Sequence, residues 1–376
     1  MRIGIDARLY GPIGKGVGRY SEKLIENLEK IDQQNEYFVF LSKENFAFYK
    51  PQNPNFHKVL APYPWYSFRE QFFFPRLLQK FRLDLVHFLH FNVPLFYPGK
   101  FLVTIHDLVH YLPRKQVLSR NRFIYWFKKI GYHLVIQHNV KRAEKVITVS
   151  RFSQDQILKF TRADPAKIKI IYEAADFPPR ISKEKQEVEF LKEVPYLLYV
   201  GNAFPHKNLN RLLQAFKITH SFLDIPKLSL VLVGALDSYF KKLKEFSEQI
   251  GIDKSVIFTG RVNEAELKWL YEHALAYVFP SLIEGFGLPG LEAMAYGLPV
   301  VSSNAGPLPE IYSEAALYFN PEDIIDLAKK ITRIVQGQNL REELIKKGFE
   351  QIKKYSWQKT AKETLEVYQS LLTGQS

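Results

Sequence analysis

The chain has no cysteine among its 376 residues, so it can form neither a disulfide framework nor a thiolate metal site. It has no Asp-x-Asp pair to hold a divalent cation, and no metal ion is expected. No stretch approaches the roughly 20 uninterrupted apolar residues that a helical membrane span needs. The opening MRIGIDARLY reads as a polar-interrupted strand, not as a charged segment followed by an apolar leader. A soluble, intracellular protein is the expectation. Repeats of fixed period and low-complexity tracts are missing too. Acidic residues are the scarcer charge, 39 against 52 basic ones, for a net charge of +13. Nucleic acid, an anionic membrane, a phosphorylated substrate or a generally basic proteome would each account for that excess. The scarcity is sharpest between Tyr111 and Lys145, where nine Lys or Arg face a single acid, Glu144.

What the chain has is apolar surface to bury. Its 46% hydrophobic and 15% aromatic residues exclude the disordered class, and its length suggests two domains. Short apolar runs bounded by turn residues alternate with segments of helical period. Strands are expected at Arg2–Ala7, Tyr37–Leu41, Asp84–Phe88, Phe101–Ile105 and Lys145–Val149. A second set is expected at Tyr196–Val200, Ser229–Val233, Val256–Thr259, Ala276–Phe279 and Pro299–Ser302. Nearly continuous runs such as YLLYV and SLVLVG suit parallel strands buried on both faces. The fold class is therefore α/β, with two doubly wound, Rossmann-like parallel sheets. Around 175–195 the pattern breaks into a charged stretch, which reads as a linker. It divides the chain into 1–178 and 179–356. The closing segment 357–376, expected to join the first domain, reads as a helix with Trp357, Ala361, Leu365 and Tyr368 or Leu372 on one face.

The segment SLIEGFGLPGLEAMAYGLPV (281–300) concentrates chemistry. A strand ends before it, EGFGLP makes a turn, and a helix follows that stops at Gly297, with Pro289 in its first turn. Gly285 and Gly287 let the backbone approach a ligand, and amides at such a helix start suit a phosphate. Glu284 lies near the strand's carboxyl end, where open α/β sheets bind ligands. Glu292 lies about a turn into the helix, placed to accept hydrogen bonds from a sugar diol. An acid near a helix start is also favourable through the dipole alone. The combination of strand end, paired glycines and two spaced acids is what favours a site.

The pattern E-G-F-G-L-P-x-x-E-A-M-A-x-G-x-P-V-V resembles the Glu-x7-Glu motif of the retaining nucleotide-sugar glycosyltransferases of family 4, which have the GT-B fold. VGNAFPHKNLNRLLQAF (200–216), FTGRVNEAELKWLYEHA (258–274) and GPLPEI (306–311) are similar to further segments of that family. So are GIDARLYGPIGKGVGRY, VTIHDLVHYLP and KRAEKVITVSRFS in the first half. The resemblance implies two domains facing a central cleft, the second binding the nucleotide-sugar and the first the acceptor. It implies that Glu284 holds donor-sugar hydroxyls, Glu292 the ribose, and the amides of Phe286, Gly287 and Leu288 the sugar or pyrophosphate. Lys207 would neutralise the diphosphate, which gains charge as the glycosidic bond breaks. Many relatives carry an Arg where this chain has Asn202 or His206, so Arg261 is a candidate second cation, or simply an exposed strand-end residue. His106 is placed beside the donor sugar. Retention by same-face attack is implied, with the diphosphate taking the acceptor proton. No cofactor is implied beyond the nucleotide-sugar co-substrate.

GPIGKGVGRY (11–20) is not the dinucleotide pattern G-x-G-x-x-G, and no ribose-binding acid follows it. The resemblance turns Gly14 and Gly16 toward the ligand, and Arg19 is either on that face or solvated. His106 and His110 in HDLVH are four apart, a zinc spacing on a helix, but the segment reads as a strand end without a third ligand. No carboxylate pair of the kind retaining glycosidases use is evident. The segment 119–143 is expected to be a helix with Phe123, Phe127, Ile130 and Leu134 toward the core. Arg122, Tyr125, Lys129, Tyr132 and Ile136 would then face outward, as suits an anionic lipid surface. The rival reading buries that helix on both sides or covers it with the aromatic, basic segment around 60–80.

The expected activity is transfer of a hexose, first mannose from GDP-mannose, to a glycan or lipid-linked acceptor for a surface polysaccharide. The enzyme would work in the cytoplasm, peripherally at the inner face of the plasma membrane if the lipid reading holds. Rivals are a UDP-sugar-dependent glucosyl-, rhamnosyl- or N-acetylhexosaminyl-transferase, a sugar-nucleotide epimerase, and a phosphorylase, for which no cofactor lysine is evident. A basic nucleic-acid-binding protein would explain the charge. It would leave Glu284 and Glu292 without work, so no nucleic-acid partner is expected.

Overall fold

A computed structural model describes residues 1–108, 122–175, 194–222 and 228–373, apart from the side chains of 122–129 and 372–373. Most of the expected linker, 176–193, lies outside the described residues, as does His110. The chain forms two compact units, Met1–Glu173 with Ser356–Ser376, and Ala174–Tyr355.

The first unit holds β1 (Arg2–Asp6), β2 (Glu36–Leu41), β3 (Phe56–Leu60), β4 (Leu85–Phe88), β5 (Phe101–Ile105), β6 (Lys145–Thr148) and β7 (Ile168–Ile170). They form one all-parallel sheet in the order β3-β2-β1-β4-β5-β6-β7. Its helices are α1 (Lys15–Ile31), α2 (Phe68–Lys80), α3 (Arg122–Arg142) and α4 (Arg151–Phe160). The second unit holds β8 (Tyr196–Val200), β9 (Ser229–Val233), β10 (Val256–Gly260), β11 (Ala276–Phe279), β12 (Val300–Ser303) and β13 (Ala316–Phe319). Their order is β10-β9-β8-β11-β12-β13, again all parallel. Around them lie α5 (Leu209–Phe222), α6 (Ser238–Gln249), α7 (Glu264–His273), α8 (Leu288–Ala295), α9 (Leu308–Tyr312), α10 (Ile324–Gln336) and α11 (Gln338–Ile352).

The last helix, α12 (Trp357–Thr373), packs on α1. Its expected stripe is right in the main, since Trp357, Ala361 and Tyr368 are buried, although Leu365 is only half-buried and Thr364 is fully buried. The Tyr368 hydroxyl meets His87 Nδ1 at 2.7 Å, and His87 Nε2 meets Thr104 Oγ1 at 2.8 Å. Burial pushes the His87 imidazolium down to about 3, so this histidine is neutral and ties the returning helix to β4 and β5.

Two expectations need correction. Strands β3, β7 and β13 were not among those expected. All three are edge strands, where only one neighbour has to be satisfied, and β3 and β7 bury few of their side chains, so no apolar run marks them. From residue 130 onward, the face of α3 is also reversed. Ile130 and Leu134 are exposed, whereas Ile136 and Val140 are buried and Tyr132 packs edge-on to Phe91 at 4.8 Å. Asn139 fixes the rotation by donating to the Phe91 carbonyl at 2.7 Å, and Arg142 donates to that of Tyr97 at 2.7 Å. Apolar residues lie all round this helix, so polar anchoring decides which side faces the sheet. Tyr132 is therefore no part of an outward surface, and the side chains of Arg122, Tyr125 and Lys129 lie outside the described residues.

Candidate active site

Strand order in the second sheet reverses between β8 and β11, the kind of position where ligands meet the carboxyl ends of an open sheet. Two turns arrive there. After β8 comes a 3-10 turn, Pro205–Lys207, closed by Asn208 in left-handed backbone at φ 61°. The Asn208 side chain donates to the carbonyls of Pro280 at 3.0 Å and Pro321 at 2.8 Å. Leu282 N donates to the His206 carbonyl at 2.8 Å. The turn is thereby bolted to the chain that leaves β11, and Lys207 Nζ meets Glu284 Oε1 at 2.6 Å. Both side chains are largely shielded from water, at 13% and 14% exposure. The pair spans the two strands flanking the reversal. Asn208 is the residue that places it, and the sequence offered only its neighbourhood to Lys207 as a signal.

Beyond Glu284 the turn enters α8 through Gly287, whose φ of 111° is open to glycine and strained for other residues. The Tyr312 hydroxyl donates to the Gly287 carbonyl and packs beneath the turn. A methyl group at Gly290 would stand 2.3 Å from that hydroxyl, so Tyr312 requires glycine there. Pro289 has no N–H and the Gly290 amide returns to the Gly287 carbonyl at 3.2 Å. Leu288 therefore supplies the first-turn amide without an intrahelical acceptor, next to Gly287 and to the buried Phe286. Glu292 follows one turn along, half-buried. Burial first, and the Glu292 charge second, push the hydroxyls of Tyr271 and Tyr277 well above the usual range. Lys207, Glu284, Glu292 and the 286–288 turn thus all sit at the ends of β8 and β11. Arg261 does not join them, being exposed just past β10, two strands out from β8. Asn202 turns its Oδ1 back to the Phe204 amide at 3.3 Å, a local turn bond.

The first unit contributes a second constellation. Gly14 is the N-cap of α1, where a methyl group would lie 2.0 Å from the Leu9 carbonyl oxygen, so packing alone demands glycine. Gly16 lies inside α1 and a methyl group there would meet nothing, so its glycine has no steric cause within the chain. His106, just past β5, has both ring nitrogens engaged, Nδ1 with Glu173 Oε1 at 2.8 Å and Nε2 with the Leu89 carbonyl at 3.1 Å. A sugar contact through this ring would first have to displace the Leu89 carbonyl. Glu173 carried no sequence signal, lying far along the chain at the end of the first unit. Burial works against charge on His106, but the Glu173 hydrogen bond and carboxylate outweigh it and hold the pKa above the ordinary value.

A raised histidine pKa adds stability that is whole below the unfolded value of roughly 6.5 and is lost as pH rises through the folded value. Unfolding free energy of the native protein should therefore decline above neutrality, and in Glu173→Gln that decline should vanish. Denaturant titrations across that range check it, and an equal slope in both proteins rules it out. His87 acts with the opposite sign, its neutral form losing stability as pH falls below the same value.

A third cluster was missed because its members are far apart in sequence. Arg8, fully buried, makes a two-point pair with Asp6 at 2.8 Å for each bond and reaches Glu70 Oε1 at 2.8 Å. Its guanidinium stacks on Trp65 and Phe74 at 4.2 and 4.1 Å. Asn92 donates to the same Glu70 oxygen at 2.8 Å, and Glu70 Oε2 accepts from the Tyr66 amide at 2.7 Å. The cluster joins the end of β1 to the start of α2. No group of three or more metal-ligating side chains occurs among the described residues.

Two family patterns match the chain, Glycosyltransferase Family 4 over residues 14–177 and Glycosyl transferases group 1 over 180–351. The O-antigen chain mannosyltransferase RfbU of Salmonella typhimurium is 30% identical over 83% of this chain and 85% of its own length. The O-antigen chain mannosyltransferase B of Escherichia coli is 27% identical over 95% of this chain and 96% of its own. Sucrose-phosphate synthase from Thermosynechococcus elongatus shares the fold over the whole of both chains, with a TM-score of 0.79 at 20% identity. The chain is thus a glycosyltransferase of family 4, one of the group 1 enzymes with the GT-B fold.

Proposed function

We infer that this enzyme transfers mannose from GDP-mannose, with retention, to a glycan or lipid-linked acceptor of a surface polysaccharide. The observation that carries the donor site is the Lys207–Glu284 pair at the strand reversal, directly before the α8 turn. Before donor binds, each of these charges neutralises the other. A diphosphate in front of the turn gives Lys207 a better partner and frees Glu284 to accept from sugar hydroxyls. Glu292 holds the ribose diol, and the amides of Phe286, Gly287 and Leu288 meet the pyrophosphate or sugar. As the bond from the anomeric carbon to the diphosphate oxygen breaks, negative charge grows beside Lys207. The acceptor oxygen attacks from the same face and its proton passes to the departing diphosphate. The choice of mannose rests on the similarity to the O-antigen chain mannosyltransferases RfbU and B.

Calorimetric titration with GDP, UDP and ADP in the absence of divalent metal tests the donor site. GDP should bind, and Glu292→Ala should weaken it about tenfold or more, the loss of charge-assisted hydrogen bonds. Binding of UDP instead would change the base and keep the site. Equal affinity in the variant would remove Glu292 from it. The anomeric configuration of the first-formed product, read by NMR, tests retention.

A further inference from the structure

Helix α2 begins where the Ser67 hydroxyl caps the Glu70 amide at 3.1 Å. Its inner face, Glu70, Phe74 and Leu78, is buried. The outer face is unusual. Phe68 is 86% exposed, Phe73 51% and Phe72 46%, and Phe96, 60% exposed, stacks on Phe72 at 5.2 Å. Adjoining large aromatics left in water mark an interaction surface. Basic residues share the face. Phe68, Phe72, Arg76 and Lys80 follow one another at four-residue steps, with Arg69 and Phe73 alongside, and all six are exposed. Arg76 lies along the helix, donating to the Phe72 carbonyl at 3.0 Å with its guanidinium 5.8 Å from the Phe73 ring. The sole acid in residues 61–83 is Glu70, which is buried against Arg8. The exposed residues of 61–83 therefore include no acid.

That charge pattern selects the partner. A second copy applied to the same face would set Arg69, Arg76 and Lys80 against their own counterparts, with no acid to compensate. An anionic bilayer satisfies both features, taking aromatic rings at the boundary of headgroups and acyl chains and matching cations with lipid phosphates. We propose that the outer face of α2, with Phe96, docks the protein on an anionic membrane surface. Phe68 and Phe72 enter the interface, and Arg69, Arg76 and Lys80 pair with headgroups. On α3, by comparison, Tyr132 packs inward on Phe91. The inference is independent of which sugar or base the enzyme uses.

Co-sedimentation with phosphatidylcholine vesicles, with and without phosphatidylglycerol, tests it. The native protein should partition onto the phosphatidylglycerol vesicles only. Phe68→Ser with Phe72→Ser should lower that partitioning about tenfold or more. Arg69→Glu with Arg76→Glu should lower it at least about fivefold, and raised salt should have the same effect on the native protein. These side chains are exposed, so melting temperature and nucleoside diphosphate affinity should stay native-like in both variants. The proposal is overturned if the native protein ignores anionic vesicles or if the phenylalanine pair binds them as well as the native chain. It is equally overturned if the native chain self-associates in solution and that variant does not.

Discussion

Lys207→Met should lower kcat by about two to three powers of ten, the effect of removing a preorganised charge from where charge develops in the transition state. The reason lies in the placement. Asn208 locks the turn that carries Lys207, so the ammonium is held in position before any ligand arrives. Water does little to screen it, because the pair with Glu284 is largely shielded. The substitution also strands the Glu284 carboxylate, which would then repel a diphosphate. Lys207→Met combined with Glu284→Gln separates the two effects, since affinity for nucleoside diphosphate should partly recover in the double variant while turnover stays low. Steady-state kinetics with donor in excess provides the measurement. A change in kcat of less than about threefold in Lys207→Met would take the lysine out of the chemistry.

The second large effect concerns the fold. Arg8→Met should destabilise the first unit by about 3–5 kcal/mol, because it leaves buried carboxylates without their cation. For a unit of this size that corresponds to a fall in melting temperature of about 10 °C. Burial already raises the Glu70 pKa, with the Asp6 charge adding to it, against the lowering influence of Arg8. Without Arg8 the Glu70 carboxylate can relieve the cost by taking up a proton, so the deficit should shrink as pH falls. Arg8→Lys should rescue little, since one ammonium cannot reproduce the two-point pair with Asp6, the bond to Glu70 and the donation to the Tyr63 carbonyl at 3.0 Å. Thermal melts at two pH values decide it. A shift of less than about 2 °C, or a deficit that grows in acid, would show that the cluster bears no such weight.

Much of this was legible in one dimension, for a physical reason. A parallel strand buried on both faces needs a continuous apolar run, so ten of the thirteen strands among the described residues announce themselves. Edge strands such as Ile168–Ile170 satisfy only one neighbour and carry no such run. The turn at 284–292 was equally legible. A chain that must bend sharply, start a helix and keep two acids in an apolar setting has few residue types to choose from. Its support was not legible. Tyr312, Asn208, Glu70 and Glu173 are ordinary residues in ordinary local contexts, and each acquires its role from partners between 22 and 113 residues away.

Composition and local pattern by themselves determined that the protein has two parallel α/β sheets, that it lacks thiolate chemistry, and which short turn holds the spaced acids. Those properties depend on side-chain periodicity and backbone freedom, which are local. Tertiary structure alone decided that Lys207 faces Glu284 before any donor binds, and that both nitrogens of His106 are engaged. It also decided that α3 turns Tyr132 inward while α2 leaves Phe68, Phe72 and Phe73 in water. Which side of a helix meets a sheet, and which cation meets which carboxylate, depends on polar anchors that come together only once the chain has folded. No spacing along the sequence encodes them.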